Sequence, residues 1–168
     1  MPERRIIENT PIDRPGMLED LGASWPITSM YAYWDSIRPG PGLLPGRQHF
    51  DPAAIPRLLR YVSMIEVDPD TLACRYTVFA SESREVAGFS PVGKDFDDPS
   101  IRDSVAGTRA HVRTIVAGRT PLYRAGYPSM VRNDDYPYMQ RIYLPMARDG
   151  QRVDMVAGVS IVYHRLQE

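Results

Sequence analysis

Between Tyr138 and His164 the chain reads YMQRIYLPMARDGQRVDMVAGVSIVYH, two apolar runs separated by Asp149-Gly150. An Asp-Gly pair between alternating apolar runs is the strongest short-range signal for a β-hairpin. A two-residue turn at 149–150 sets Met146 opposite Val153, Leu144 opposite Met155, Ile142 opposite Ala157 and Gln140 opposite Val159. In that register the apolar members of both strands share one face, and a one-residue slip scatters them. Pro145 has no N–H to give to a ladder, so it belongs at a non-hydrogen-bonded position, and a third strand beside it lacks a bond there. A ribbon this long and this apolar does not stand alone. It predicts a larger sheet around it and a layer packed on its buried face.

A chain of 168 residues is enough for one domain with a sizeable core. Its 20 basic and 21 acidic residues are interspersed and leave a net charge of -1, without the basic stripe that nucleic-acid binding needs. No run approaches the roughly 20 apolar residues of a membrane span, and no apolar segment follows Arg4-Arg5 as a signal peptide requires. A cytoplasmic location is expected. The single cysteine, Cys74, forms no internal disulfide, which fits a reducing compartment. Many of the 16 prolines fall between periodic segments, so the loops are expected to be ordered by proline.

Residues 1–28 carry Pro2, Pro11, Pro15 and Pro26 with little periodicity and read as an extended arm with one short helix near 17–21, ahead of a single domain over 29–168. From Ser29 onward Met30, Tyr33, Trp34 and Ile37 recur at helical spacing until Arg38-Pro39-Gly40 stops the helix. That aromatic stripe either covers the domain's own sheet or pairs with a second copy as a homodimer surface. Asp51 suits an N-cap and Pro52 a first helical position, and Pro56 keeps that helix short. Strands are predicted over 61–67, 74–81, 121–131, 138–147 and 152–163. A short helix over 82–87 ends at Gly88. The longest helix opens at Asp97-Asp98-Pro99, carries the stripe Ile101, Val105, Thr108, Val112, Ile115 and Val116, and ends at Gly118. Asn133-Asp134-Asp135-Tyr136-Pro137 reads as a turn into the hairpin.

The order of these elements resembles a bacterial branch of the PAS domains. It is carried by Tyr33-Trp34, Leu44-Pro45-Gly46-Arg47, Phe50-Asp51-Pro52, Ile55-Pro56 with Leu58-Leu59, Arg75-Tyr76, Gly88 with Val92-Gly93-Lys94, and Leu144-Pro145 before Asp149-Gly150. The likeness covers residues 29 to 163 and departs from the branch at Ala80-Ser81, where a Gly-Thr pair usually ends the second strand. The resemblance implies an α+β fold, a five-stranded antiparallel sheet in order 2-1-5-4-3 with helices on one face around a cavity and a helix N-terminal to it. It also implies a sensory or regulatory role in signal transduction, by binding a small molecule or a partner protein. With no kinase, cyclase or DNA-binding segment read in the chain, output is expected to pass through another protein or through dimer state.

The chemistry-bearing residues point to no catalytic motif. The inner sheet face is predicted to offer Tyr76, Val78, Ile142, Leu144, Val153 and Met155 to a ligand, in an apolar space with one or two polar handles. The competing expectation is that these side chains simply fill the core. Arg141 and Tyr143 on one strand face, with Arg75 on another, reach either an acidic ligand group or solvent, and solvent is the reading favoured. His111 sits at the edge of the long helix's stripe and reads as a solvent-edge or hydrogen-bonded structural histidine. A haem ligand is the alternative, which would make the chain a gas sensor. Cys74 in a strand reads as a buried, inert thiol, not the reactive cysteine of a flavin photoreceptor. No metal is expected, since His49, His111 and His164 lie on separate elements. No nucleophile elbow or phosphate loop occurs, and Asp97-Asp98 and Asp134-Asp135 read as caps and turns. The cofactor is left unidentified and no enzyme is expected. The alternative is a small α+β cone enzyme of isomerase or hydratase type, with an aspartate or histidine base in the cavity.

Overall fold

The computed structural model describes residues 4–128, 135 and 137–164. Its strands are β1 (Ile7–Pro11), β2 (Val62–Val67), β3 (Cys74–Val78), β4 (Leu122–Gly126), β5 (Tyr138–Met146) and β6 (Met155–Tyr163). Its α-helices are α1 (Met17–Asp20), α2 (Trp25–Ser36), α3 (Ser81–Ala87) and α4 (Arg102–Gly118), with three single 3-10 turns between α2 and β2. The strands form one antiparallel sheet in the order β1-β4-β5-β6-β2-β3. The fold is α+β, but the sheet has six strands where five were expected. The five segments read from the sequence occupy β4-β5-β6-β2-β3, and the N-terminal arm adds β1 at the margin beside β4. The sequence of β1, IENTP, shows no alternation because an edge strand is half exposed and its bonds come from the backbone. Residues 129–131 of the third predicted strand, and Asn133, Asp134 and Tyr136 of the predicted turn, lie outside the described residues.

The central hairpin forms, but not around a two-residue turn. β5 ends at Met146 and β6 begins at Met155, and the pairs are Met146 with Met155, Leu144 with Ala157, Ile142 with Val159 and Gln140 with Ile161. The register is displaced by two residues from the predicted one. Asp149 causes this. Its carboxylate accepts the N–H groups of Gln151 and Arg152, both at 2.8 Å, while Gly150 N–H donates to the Ala147 carbonyl at 3.1 Å. The chain therefore curls into a wider loop in which Gly150 takes φ +81°, a conformation that favours glycine. A displacement of two keeps every side chain on its predicted face, because the strand period is two. Val153 moves off the strand into the loop, where it is buried. The β4–β5 ladder stops at Leu122–Tyr143, short of Pro145, so no third strand asks that proline for a bond.

Helices cover both faces of the sheet, which corrects the one-sided packing expected. Neighbours along a strand point to opposite faces, and Gln140 and Arg141 are bonded to different layers. Gln140 Oε1 accepts Ser24 N–H at 2.8 Å and its Nε2 donates to the Gly22 carbonyl at 3.2 Å, at the entry to α2. Arg141 meets His111 on α4. Trp34 of α2 donates its indole N–H to the Pro145 carbonyl at 2.8 Å, and Tyr143 donates to Thr108 of α4 at 3.3 Å. All nine residues of β5 are buried, as a strand between two layers must be. Each fully buried Ile or Leu along it contributes about 1.5–3 kcal/mol of burial. The stripe Val105, Thr108, Val112 and Ile115 holds α4 to its side, as its spacing predicts.

Of the two readings of the α2 stripe, the structure shows the one in which it covers the chain's own sheet. Met30 and Trp34 are buried against the chain's own sheet, and Tyr33 and Ile37 pack partly on the same core. The helix starts at Trp25, earlier than expected, because Pro26 stands in its first turn, where proline is tolerated. Among the described residues no helix is long and apolar enough to cross a membrane.

Candidate functional site

The face of the sheet that meets α3 and α4 does not close completely. A cavity of about 50 Å³ lies between it and α3. Its floor is Ser63 on β2, Tyr76 on β3, Met139, Arg141 and Tyr143 on β5, and Gly158, Ser160 and Val162 on β6. Phe79, Ser83, Val86 and Ala87 form the wall and Pro128 touches the rim. Cross-strand pairing explains the floor: Arg141 stands opposite Ser160, Tyr143 opposite Gly158, and Met139 opposite Val162. Gly158 is the key to its depth. A Cβ there would lie 2.9 Å from both Cδ1 and Cε1 of Tyr143, so the Tyr143 ring lies over bare backbone. On that ring rests the Arg141 guanidinium, 4.4 Å from its centroid.

Arg141 is only 4% exposed and sits at the middle of the most buried strand. Its Nη2 donates to His111 Nδ1 at 2.5 Å, and among the described residues no carboxylate forms an ion pair with it. An arginine has no acceptor atom, so His111 Nδ1 carries a lone pair and the ring proton is on Nε2. Burial, followed by the charges of Arg141 and Arg124, holds the His111 pKa down to about 4, so the imidazole is neutral around pH 7. Arg124 stands directly across from Arg141 on β4, donating to the Tyr127 carbonyl at 2.9 Å and towards Met139 sulfur at 3.8 Å. Two like charges facing each other on a covered sheet are destabilising, and a buried guanidinium without a counter-ion costs several kcal/mol after relaxation. Gln140, the polar neighbour on the opposite face, has its amide oxygen and nitrogen both partnered by backbone. Arg141, by contrast, has a neutral imidazole and an aromatic face for partners.

Of the six residues predicted to meet a ligand, the structure brings only Tyr76 to this cavity. Ile142 and Leu144 are buried on the α2 face, Val153 is in the hairpin loop, Met155 starts β6 at the far end, and Val78 is 44% exposed. Arg141 and Tyr143, expected in solvent, are in the cavity floor, while Arg75 is exposed and paired with Glu66 at 2.7 Å. The misplacement follows from assuming one covered face. The near-continuous apolar run of β6, MVAGVSIVY, carries the signal of burial on both faces, and Gly158 in mid-strand carries the signal of a close approach.

The remaining candidates occupy structural positions. Cys74 is buried, donates to the Leu72 carbonyl at 3.3 Å, and has its thiol pKa pushed up to about 11 by burial, which leaves it protonated. Asp98 accepts the N–H and hydroxyl of Ser100, bonds that hold its carboxyl below the usual range, and Asp97 pairs with Arg109 at 2.7 Å. His49 Nδ1 accepts the Gly46 N–H at 2.9 Å. Among the described residues no three His, Cys, Asp or Glu side chains are grouped to hold a metal. This cavity is far below the roughly 300–1,000 Å³ of pockets for larger ligands, His111 does not line it, and with Nδ1 accepting from Arg141 and the proton on Nε2 neither ring nitrogen offers a lone pair to a haem iron. No family model, no curated protein and no solved structure matches this chain.

Proposed function

We propose that this chain is a cytoplasmic, non-enzymatic sensory domain of PAS type, which takes a small molecule into the cavity beneath α3 and signals its occupancy to a partner protein. One observation carries this reading. The cavity has a rigid floor of buried central strands and a wall, α3, in which no residue is buried. Such a wall holds few contacts of its own, so a ligand that touches both surfaces shifts it at low cost. α3 packs against β6 and the 3-10 turn Leu59–Tyr61, where Leu59 and, at the start of α2, Trp25 are exposed apolar groups that a partner can read. The buried, unpaired Cys74 fits a reducing compartment.

The lining offers hydroxyls and a guanidinium, groups suited to holding a polar ligand. Native mass spectrometry of the purified chain tests the whole reading, since it reports retained ligand and subunit number together. The expected result is a small adduct, retained from the cell or recovered from a metabolite mixture. A bare species that takes up nothing from such a mixture overturns the proposal.

A further inference from the structure

Arg141 identifies the chemistry of the ligand. The guanidinium is nine-tenths buried, lines the cavity, spends one N–H on His111 and has no anionic partner among the described residues. The wall helix carries two acids, Glu82 and Glu85, neither of which lines the cavity, and Glu82 pairs with Arg60 at 3.9 Å; the cross-strand neighbour of Arg141 is a second cation, Arg124. A planar fork of N–H donors fixed on an aromatic ring matches a planar pair of oxygens, the geometry of a carboxylate. Val86 and Ala87 of the α3 wall and Val162 in the β6 part of the floor give the cavity an apolar end. At 10–15 Å³ for one water, a volume of about 50 Å³ admits a body of roughly three to five heavy atoms.

We propose that the cavity binds a short aliphatic monocarboxylate of two or three carbons, its oxygens held by Arg141 and its tail against Val86, Ala87 and Val162. This rests on the ligand-binding reading above and narrows it to one class. A phosphate is disfavoured because its second charge meets no second cation in the lining. Nitrate would satisfy the fork but leave the apolar wall unused.

The test is titration calorimetry of the intact chain with sodium acetate and propionate at constant ionic strength, against propionamide, nitrate and phosphate. Saturable one-site binding of a carboxylate, weakened about tenfold or more in Arg141→Gln as expected for loss of a charged hydrogen bond, is the expected result. Ala87→Leu leaves Arg141 in place and shortens the apolar end, so it should weaken propionate several-fold more than acetate; this variant carries the test if Arg141→Gln does not fold. Binding of propionamide equal to propionate, preference for nitrate or phosphate, or full carboxylate affinity in Arg141→Gln overturns the inference. The two readings fail separately. A neutral molecule retained in native mass spectra without carboxylate binding removes this inference and leaves the sensory one. Carboxylate binding that alters neither α3 amide exchange nor subunit number does the reverse.

Discussion

Gly158 lies opposite Tyr143 in the hairpin that forms the centre of the sheet. A glycine in mid-strand costs about 0.5–1 kcal/mol relative to alanine, so in isolation Gly158→Ala would stabilise the strand. Here the added methyl meets the Tyr143 ring at 2.9 Å and must displace it, along with the guanidinium stacked on it. Overpacking of this kind costs about 1–3 kcal/mol, and urea unfolding of Gly158→Ala should show a net loss of that order. A gain in stability would mean that the ring yields freely. His111 makes a second residue-scale prediction. Its pKa falls from 6.5 to about 4 in the fold, through burial first and then Arg141 and Arg124. Between those values the unfolded chain binds a proton that the native one does not, so this contribution is complete above about 6.5 and is lost as pH falls towards about 4. The slope is at most about 1.4 kcal/mol per pH unit, reduced by the partial exposure of the ring. Stability measured across that window should lose this slope in His111→Asn; an identical slope in the variant would show that the imidazole is charged in the native state.

Among the elements, α3 and the β5–β6 hairpin are at opposite ends of a stability scale. The hairpin is covered on both faces, whereas α3 has seven residues, none buried, and ends at Gly88 with φ +79°. Isolated helices of this length are not stable in water, so α3 persists only through its contacts with β6 and the neighbouring 3-10 turn. Hydrogen exchange should therefore find α3 amides exchanging about a hundredfold or more faster than those at the centre of β5, with the gap narrowing when the cavity is occupied. Protection of α3 equal to that of β5 would remove the movable wall from the proposed mechanism. Pattern reading located both elements, since Gly88 and the apolar alternation are local signals. It missed the true hairpin loop, because the Asp149 carboxylate caps two N–H groups and widens a turn that the Asp-Gly pair alone would make tight.

At the scale of the molecule, the α+β class, the antiparallel pairing of neighbouring segments, the apolar stripe of α4 and the burial of Cys74 were all legible in residue order, because each depends on periodicity, capping or polarity within a short window. The sixth strand was not, since an edge strand draws its stability from backbone bonds to β4 and its side chains record nothing of that. Nor was the second helical layer. Whether a strand face meets solvent or another helix is decided by chain segments distant in sequence, and it is this decision that took Arg141 and Tyr143 out of water and made them the floor of a cavity. The residue types at the site were therefore set by the sequence alone, while their convergence, the lack of a carboxylate partner for Arg141 among the described residues and the small space before them came from tertiary packing. Burial and charge pairing are sums over all neighbours, and no local pattern contains them.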